Sequence, residues 1–476
     1  MRIRKLMIGL SLFLGIGAGE MQGQQGAVDR FVATKGFEHA SVGLSVIRLS
    51  DGKAMASYGQ ERSLVPASVQ KAITTATALR LLGDTCRIPT CVAYSGRIVE
   101  GVLRGDLIIR GGGDPSLGSK YDSRQPTALF QQIGAALKSE GITAIAGRII
   151  GDESALDQEG IVPGWSWEDM GNYYAAGVYG LNYRDNLYEL LLDTSEKGKK
   201  PIVKGIKPAI DGLRIHNMLL PVSTSFDSAY LYGAPFSGDR FLYGAVPHKG
   251  AVFTVKGDMP EPALQTAQLA ADYLKEHGFG IAGGCESYRT LCEKGETVPR
   301  PAKQLLCFYS EPLRELARQT NVHSINLFAE GLLRQIGLAQ GVGSTQEGIG
   351  KMIAYWKGRG LDTSGLFLYD GSGLSPSNRV TASFLTALMR EMKDERAFVS
   401  SLPVAGVEGT VGSFLRATPL RGKARLKSGT IKQVISYTGY IDGKERYAMA
   451  VLVNNASCSN REVRRAIEKM LVEMNL

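Results

Sequence analysis

A serine and a lysine three residues apart are the first candidates for chemistry in this sequence. Ser68 and Lys71 lie just after Pro66, where apolar residues begin to recur with helical spacing. This spacing puts both side chains on one face of the first helical turn. At a helix N-terminus, backbone N–H groups and the helix dipole favour developing negative charge. A serine hydroxyl beside an amine in that position can act as a nucleophile with its own base.

The same spacing occurs a second time, which shows how weak the pattern is by itself. Ser50 and Lys53 are also three apart, but Asp51 and Gly52 between them predict a hairpin turn between two strands. Either copy alone is better explained as ordinary structure than as a catalytic pair. The preference for Ser68 therefore depends on motifs elsewhere in the chain.

Two later motifs supply groups that such a serine would need. Ser324–Asn326 reads Ser-Ile-Asn, and Lys427–Thr430 reads Lys-Ser-Gly-Thr. Taken singly, the first is typical of a helix cap and the second of a strand that ends in a turn. Both lie far from Ser68 along the chain, so only folding can bring the three together. Their joint occurrence in this order matches the motif set of serine penicillin-binding proteins and serine β-lactamases.

Each reacting residue has a chemical reason to be present. Ser68 must lose its proton when it attacks an amide carbonyl, and Lys71 can accept that proton only in its neutral form. Burial and a second cation, Lys427, would lower the pKa of Lys71 and favour the neutral form. Ser324 can relay a proton between Lys71 and the leaving amine. Asn326 can hold Lys71 or a substrate amide in place.

The third motif predicts the groups that hold the substrate. Lys427 would attract a terminal carboxylate, and the hydroxyls of Ser428 and Thr430 can bind its oxygens. Gly429 allows a substrate to lie close against the strand. The backbone N–H groups of Ser68 and Thr430 would form an oxyanion hole.

Composition argues against several other classes of function. The chain has 476 residues, of which 44% are hydrophobic and 21% charged, so a globular protein of several domains is expected. The net charge of +9 is spread along the sequence without a basic block among aromatic residues, so no nucleic-acid partner is expected. The five histidines lack metal-ligand spacing, and no metal or cofactor is expected. His323, beside the second motif, is predicted to be packed or solvated because Lys71 already fills the role of base.

The N-terminus predicts export. Arg2, Arg4 and Lys5 precede an apolar run over residues 6–18, and small residues follow that run. A charged start, a short apolar middle and small residues at the end are typical of a signal peptide, which we predict over residues 1–25. The run is too short to span a bilayer comfortably, and no later stretch resembles a membrane helix. We therefore expect a periplasmic or otherwise extracytoplasmic protein without a stable membrane span.

Six cysteines suit an oxidising compartment. Spacing alone does not determine which of them pair. The options considered, by position, are a disulfide between 86 and 91, another between 285 and 292, and either a disulfide or two buried thiols at 307 and 458.

Two tryptophans in an acidic loop are a weaker candidate for function. Trp165 and Trp167 lie beside Glu168 and Asp169. Aromatic rings next to acids can line a substrate cleft, but packing within the loop is the default explanation.

The order of predicted elements indicates an α+β fold. Strands and helices that could build one antiparallel sheet with covering helices occur at both ends of the chain, and short strands and turns fill the middle. This arrangement predicts a catalytic domain that is interrupted by an insertion. The main predicted elements are strands over 41–49, 53–59, 424–429, 434–440 and 447–453 and helices from 68, 312, 324, 383 and 461.

Beyond the three motifs, nearly the whole mature chain resembles the penicillin-binding protein 4 type of D-alanyl-D-alanine carboxypeptidase/endopeptidase. This is peptidase family S13, the class C low-molecular-mass penicillin-binding proteins. A small departure is Ser428, where threonine is commoner. The stretches that carry the resemblance are Pro66–Lys71, Gly105–Leu107, Gly113–Pro115, Pro163–Trp165, Leu181–Asn186, Asp370–Ser375 and Lys427–Thr430.

The resemblance implies a β-lactamase/transpeptidase-like catalytic domain that carries a large β-rich inserted domain with a third domain nested inside it. We accordingly expect the catalytic domain over residues 26–85 and 296–476, the insertion over 86–295 and the nested unit near 190–260. The resemblance also implies that an acid of the inserted domain recognises the diamino acid of the substrate peptide. Asp152 and Asp157 are the two candidates, and the sequence does not decide between them.

The resulting hypothesis is a serine-type D-Ala-D-Ala carboxypeptidase or DD-endopeptidase that acts on peptidoglycan stem peptides. Ser68 would form an acyl-enzyme, and β-lactams would trap it by the same acylation. Carboxypeptidase and endopeptidase action differ in the leaving group, so the sequence leaves both open, as it does the oligomeric state. Two alternatives are a serine β-lactamase, which the long insertion disfavours, and a non-catalytic cell-wall-binding protein, which the complete motif set disfavours.

Overall fold

The structure is a computed structural model that describes residues 22–222, 224–339 and 341–476. All but the last residues of the predicted signal peptide lie outside these ranges. The described residues form two compact units. The first comprises the chain up to Leu81, Ala317–Ser324 and Ile349–Leu476, and the second comprises Leu82–Leu316 and Ile325–Gly348. Within the described ranges, no helix is long and apolar enough to cross a membrane.

An antiparallel sheet is the centre of the first unit. Its strands, numbered along the chain and given in spatial order, are β18 (Ala424–Ile431), β19 (Val434–Asp442), β20 (Arg446–Asn454), β1 (Ser41–Arg48) and β2 (Ala54–Tyr58). β1 pairs along its whole length with β20, from Ser41 opposite Asn454 to Arg48 opposite Tyr447. The sheet is therefore built from both ends of the chain, and β18 is one of its edges.

Helices cover both faces of this sheet. Those with residues in the first unit are α1 (22–32), α2 (Gln70–Leu82), α6 (Leu313–His323), α8 (Thr345–Gly358), α9 (Ala382–Glu391), α10 (Arg396–Ser401) and α11 (Asn460–Glu473). Phe31 of α1 and Ile467 of α11 share one buried cluster with Leu44 of β1, because alternate strand residues point to that face. On the other face, the hydroxyl of Tyr440 donates to the backbone carbonyl of Met389 in α9 at 2.7 Å.

The second unit contains two mixed sheets with helices packed against them. One sheet has the order β16 (Cys285–Ser287), β8 (Ile149–Asp152), β6 (Leu107–Gly111), β3 (Pro89–Tyr94) and β17 (Lys303–Tyr309). The other has the order β15 (Gly280–Ile281), β7 (Ala144–Ile145), β5 (Val102–Arg104) and β4 (Arg97–Val99). The helices are α3 (Ala128–Ser139), α4 (Pro262–Glu276), α5 (Tyr288–Glu293) and α7 (Asn326–Leu338). Ile133 of α3 and Leu274 of α4 are fully buried in one core with Ile149.

Six strands between Leu187 and Asp258 form two small sheets with their own core. The first has the order β10 (Ile202–Lys207), β9 (Leu187–Thr194) and β14 (Gly250–Asp258), and the second β11 (Arg214–Asn217), β13 (Asp239–Tyr243) and β12 (Tyr230–Tyr232). Leu190, Leu231 and Leu242 are fully buried between them. The α+β class predicted from the sequence is confirmed.

The disulfide differs from every short-range option considered. Cys91 is bonded to Cys307, and the cysteines at 86, 285, 292 and 458 are thiols. The physical reason is strand register, because Cys91 of β3 lies directly opposite Cys307 of β17.

The pairing of β17 with β3 places residues 303–309 in the second unit, whereas the sequence assigned 296–476 to the returning catalytic segment. The division into domains inferred from the sequence stays a prediction.

Candidate active site

Ser68 lies in a tight turn that leads directly into α2. Ala67–Val69 form one turn of 3-10 helix, and α2 begins at Gln70. Ala67 has a φ of +48°, a left-handed conformation that is uncommon for a residue with a side chain and that clusters at functional sites. Ala67 and Val69 are fully buried, whereas Ser68 is partly accessible. The turn therefore presents the serine at the start of the helix.

Lys71 extends along the same helical turn towards Ser68. Its Nζ lies 3.0 Å from Ser68 Oγ and donates to the backbone carbonyl of Ser372 at 2.7 Å. The side chain of Lys71 is fully buried. The structure thus brings the predicted nucleophile and the predicted base into hydrogen-bond contact.

A second serine and lysine meet in the same unit. Lys427 Nζ donates to Ser324 Oγ at 3.0 Å and to the backbone carbonyl of Ser428 at 2.8 Å. Ser324 follows the last residue of α6 with a φ of +58°, and Lys427 is fully buried in β18. Four of the predicted residues therefore form two close pairs, one of which contains the nucleophile.

The two lysines interact electrostatically. Burial lowers the pKa of Lys427 well below the ordinary lysine value, and the positive charge of Lys71 lowers it further. Repulsion between two buried ammonium groups acts on both of them, so the first proton leaves the pair more easily than it leaves an exposed lysine. A neutral amine close to Ser68 is the form that the proposed chemistry needs.

Gly429 allows β18 to lie against the turn that carries Ser68. A Cβ atom at this position would come within 2.6 Å of the Pro66 carbonyl oxygen and 2.9 Å of the Ser68 backbone nitrogen. Ser436, opposite Gly429 on β19, donates its hydroxyl to the same Pro66 carbonyl. Any side chain at 429 would therefore separate the strand from the Ser68 N–H, one of the two groups predicted to form the oxyanion hole.

The hydroxyls predicted to bind a carboxylate have partners of their own. Ser428 Oγ lies 2.8 Å from Thr410 Oγ1, and Thr430 Oγ1 accepts from Arg464 Nη2 at 3.2 Å. Sequence analysis missed Arg464, because nothing in the pattern of α11 shows which of its exposed arginines lies beside β18. Arg464 adds a cation next to Thr430.

A buried loop accepts hydrogen bonds from α2. The sequence had predicted no role for it. In the loop Asp370–Ser375, the Ser372 carbonyl accepts from Lys71, and the Gly371 carbonyl accepts from Thr74 of α2 at 2.6 Å. The Asp370 carboxylate accepts from the backbone N–H groups of Gly373 and Ser375, each at 2.7 Å. Asp370 also accepts from the side chains of Gln70 at 3.1 Å and Asn378 at 2.9 Å. One buried carboxylate thus fixes the loop that holds the amine of Lys71.

We expect Asp370→Ala to lower kcat at least tenfold while KM changes less. The substitution leaves buried N–H groups without an acceptor, and the free energy of unfolding should fall by about 2–3 kcal/mol. The loop would then hold Lys71 less firmly, so we expect Asp370 to act as a positioning residue. Steady-state kinetics and thermal unfolding measure the two effects. Asp362→Ala, at an exposed aspartate whose carboxylate accepts the N–H of Ser364, is the matched control. An unchanged kcat in folded Asp370→Ala would contradict the role of Asp370 in positioning Lys71.

Three other predicted residues lie in the second unit. Asn326 is the first residue of α7, and its side chain donates to the Tyr174 carbonyl at 2.7 Å. Asp152 is buried and lies 3.5 Å from Arg110 Nε, and Asp157 forms an ion pair with buried Arg334. Burial raises the pKa of Asp157. Both acids therefore have structural partners, and the proposed roles of all three residues stay predictions.

The other residues singled out from the sequence differ in their exposure to solvent. Trp165 is 6% exposed, whereas Trp167 is 68% exposed. His323 is exposed at the end of α6. The decoy serine, Ser50, is also exposed and donates to Glu445 at 2.9 Å, so the second Ser-x-x-Lys copy has no part in the cluster.

Two curated proteins resemble this chain over most of its length. A D-alanyl-D-alanine carboxypeptidase from Actinomadura sp. (strain R39) is 26% identical over 444 residues, covering 90% of this chain and 80% of the relative. The D-alanyl-D-alanine carboxypeptidase DacB of Haemophilus influenzae is 25% identical over 437 residues, covering 89% and 88%.

Solved structures share the fold. The crystal structure of penicillin-binding protein 4 (dacB) from Haemophilus influenzae matches with a TM-score of 0.79 at 22% identity, covering 94% of this chain and 98% of that chain. The same protein complexed with a β-lactam matches with a TM-score of 0.71 at 20% identity, covering 91% and 95%. The predicted β-lactamase/transpeptidase-like fold is confirmed. The model of the D-Ala-D-Ala carboxypeptidase 3 (S13) family matches residues 24–475, and the chain belongs to that family.

Proposed function

We propose that this D-Ala-D-Ala carboxypeptidase uses Ser68 as its nucleophile and Lys71 as the base that activates it. The observation that carries the proposal is the 3.0 Å contact between Ser68 Oγ and Lys71 Nζ at the start of a helix. A second buried lysine, Lys427, interacts electrostatically with Lys71 and lies on the strand next to Ser68. A nucleophile, a neutral amine and a strand edge suit acyl transfer from an extended peptide.

The reaction would proceed through an ester on Ser68. Ser68 Oγ attacks the carbonyl carbon of the penultimate D-alanine while its proton passes to neutral Lys71 Nζ. The backbone N–H groups of Ser68 and Thr430 stabilise the oxyanion. As the amide C–N bond breaks, Ser324 gives its hydroxyl proton to the leaving amine and takes the proton held by Lys71. Water then hydrolyses the ester and restores Ser68.

The substrate carboxylate decides which lysine keeps the proton. A carboxylate bound near Lys427, Ser428 and Thr430 stabilises the charged form of Lys427. Since two adjacent buried charges repel, the proton is then lost from Lys71. This couples correct substrate binding to activation of the nucleophile.

We expect kcat/KM to rise with pH and to reach its plateau well below pH ~10.4, the ordinary lysine pKa. The active enzyme needs one neutral amine in the lysine pair, and both burial and mutual repulsion lower the pKa of Lys427. Protonation of the pair at low pH therefore removes the base, so the acid limb reports the loss of one proton from the pair. A pH profile with a short D-Ala-D-Ala peptide measures this limb. An acid limb at the pKa of an exposed lysine would contradict the proposal.

The substrates we propose are peptidoglycan stem peptides, with β-lactams as inhibitors. Cleavage of a terminal D-alanine and cleavage of a D-configured cross-link differ only in the amine that leaves. Purified protein should release D-alanine from a stem pentapeptide, and cross-linked dimers test the endopeptidase reaction. Prior incubation with a penicillin should abolish release, because the β-lactam acylates the same serine and leaves it slowly. No release from either substrate by folded protein would overturn the proposed function.

Two further assays of the same purified protein distinguish this function from the alternatives. Rapid, repeated hydrolysis of a cephalosporin reporter would favour a serine β-lactamase. Binding to cell walls without release of any product and without a penicillin adduct would favour a non-catalytic protein of this fold. As the family resemblance implies, Asp152 or Asp157 would recognise the diamino acid. Asn326 would hold Lys71 or the substrate amide in place.

We also propose that the protein is exported to an extracytoplasmic compartment and that its signal peptide ends before Gln24. Gln25 and Ser57 exchange two hydrogen bonds, each of 3.2 Å, between the Gln25 side chain and the Ser57 backbone. Gln24 is buried, and Ala27 and Val28 are fully buried in the first unit. Cleavage after residue 25 would remove these contacts. N-terminal sequencing should show that the exported protein begins at or before Gln24, and any later start would contradict this refinement.

A further inference from the structure

The outer face of the small sheet β11-β13-β12 carries a continuous group of aromatic rings. Phe241 and Tyr243 are two residues apart on β13, so both side chains point to the same face. In the strand register, Phe241 lies opposite His216 and Tyr232, and Tyr243 lies opposite Tyr230. A loop adds one more ring to this group. We call it the aromatic face, defined as Trp167, His216, Tyr230, Tyr232, Phe241 and Tyr243.

The rings of the aromatic face form two contacting groups, which are neighbours in the strand register because Tyr232 lies opposite Phe241. His216 stacks on Phe241 with centroids 4.5 Å apart and planes 13° from parallel. Tyr232 is the central ring, with centroid distances of 4.8 Å to Trp167, 5.8 Å to Tyr243 and 6.4 Å to Tyr230. Mutual contact holds the side chains in place and produces a preformed surface.

Packing of the protein core does not explain these rings. The opposite face of the same strands already supplies the core, with Leu231 and Leu242 fully buried. Trp167 is 68% exposed, and Tyr230, Phe241 and Tyr243 are each at least 40% exposed. A contiguous exposed group of large apolar side chains usually marks a binding surface, whereas single exposed residues do not.

The charge at the aromatic face is balanced. Arg214 forms two hydrogen bonds with Asp239, at 2.9 and 2.6 Å, and His216 forms a third with the same carboxylate at 2.7 Å. Partial burial raises the pKa of the Tyr232 hydroxyl, and the nearby negative charge of Glu168 raises it further. The basic groups are therefore neutralised and an acid is adjacent, which disfavours a polyanion such as nucleic acid.

The chemistry of the rings favours a sugar polymer over an aliphatic partner. Three of the six members are tyrosines, and the tryptophan and histidine also carry polar groups at their edges. A pyranose ring presents a flat face of C–H bonds with hydroxyl and amide groups around its rim. Flat aromatic faces surrounded by hydrogen-bonding groups complement such a ring, and an uncharged surface suits an uncharged chain.

We propose that the aromatic face binds the glycan strand of peptidoglycan by stacking on its sugar rings, in line with the proposed action on stem peptides. The ligand class is a chain of N-acetylated amino sugars, and the stem peptides attached to it are the proposed substrates. Such binding would keep the enzyme on the polymer between successive cleavages and raise the local concentration of stem peptides.

Co-sedimentation of the full-length protein with glycan strands that have been freed of their peptides by an amidase and coupled to beads tests the proposal. Trp167→Ala and Tyr243→Ala should each weaken binding about tenfold, as expected for the loss of one stacked ring. Tyr309→Ala removes a 51% exposed tyrosine outside the aromatic face and should bind like the wild type. Cleavage of a short, soluble D-Ala-D-Ala peptide should be unchanged in all three variants, which also shows that they are folded.

Ser68→Ala separates this inference from the proposed function, because it should lose catalysis and keep glycan binding. Wild-type protein that fails to sediment with peptide-free glycan would overturn the proposal even if D-alanine release is normal. Equal binding by wild type, Trp167→Ala and Tyr243→Ala would also overturn it. Tighter binding of single-stranded DNA than of glycan through the same rings would assign the aromatic face to a different ligand and would contradict it.

Discussion

Replacing Ser68 by alanine is expected to abolish release of D-alanine and formation of a penicillin adduct, while the protein stays folded. Loss of a catalytic serine lowers kcat by about 10⁴-fold or more, because the remaining groups have no acyl acceptor to activate. Ser68 is partly accessible and its hydroxyl contacts Lys71, so the substitution removes little packing. Intact-protein mass spectrometry after incubation with a penicillin, followed by peptide mapping, measures the adduct and its position.

Ser50→Ala is the matched control for this experiment. Ser50 stands three residues before Lys53 in the same spacing, but it is exposed and hydrogen-bonded to Glu445. We expect wild-type activity and a full adduct from this variant. A penicillin adduct that persists in Ser68→Ala, or an adduct mapped to another serine in the wild type, would refute the assignment of the nucleophile.

Replacing Lys427 by methionine is expected to lower kcat/KM by about 10²–10³-fold while stability is kept or increased. Loss of a buried charge that binds a substrate carboxylate costs about 2–5 kcal/mol of transition-state stabilisation. In the free enzyme the same charge is unfavourable, because burial and Lys71 both lower the pKa of Lys427. An apolar side chain of similar length removes that cost, so the free energy of unfolding should stay equal or rise by about 1 kcal/mol.

The size of this stability effect should depend on pH. Since the pKa of Lys427 is lower in the folded state, the unfolded chain binds more protons between the two pKa values. The cost of burying Lys427 is therefore greatest at low pH and disappears as pH rises towards ~10.4. The difference in melting temperature between Lys427→Met and wild type should shrink in the same direction. Lys432→Met, at an exposed lysine in the adjoining turn, should change neither activity nor melting temperature. A clear loss of stability in Lys427→Met would contradict this account.

Two close contacts among the proposed site residues could be predicted from residue types and short motifs. Ser68 and Lys71 need only the geometry of one helical turn to meet, and that geometry is local. Ser324 and Lys427 were identified because their motifs, together with Ser68-x-x-Lys71, match the set of serine penicillin-binding proteins and serine β-lactamases, and the structure places the two side chains 3.0 Å apart. The sheet built from both ends of the chain was likewise visible in the period-two pattern of its strands.

Other features depend on register and tertiary contact, which a single sequence does not reveal. Cys91 meets Cys307 only because two strands far apart in sequence align at those residues. The loop at Asp370 contains ordinary turn residues, and its four hydrogen-bond donors come from 70, 373, 375 and 378. Arg464 is one of several exposed arginines in α11, and only the packing of that helix brings it to Thr430. These are the residues that sequence reasoning missed or left without a role.

The pairing of β1 with β20 has a consequence for when the enzyme can become active during its synthesis. Residues 41–48 emerge early but find their hydrogen-bond partners only in residues 447–454, near the end of the chain. Most of the second unit, Leu82–Leu316, is a continuous segment that can reach its native contacts sooner. Because closing so long a loop is slow, the sheet beside Ser68 should be the last part to assemble. A nascent or truncated chain would therefore have no working nucleophile. Activity would appear only after β20 has been synthesised and has paired with β1.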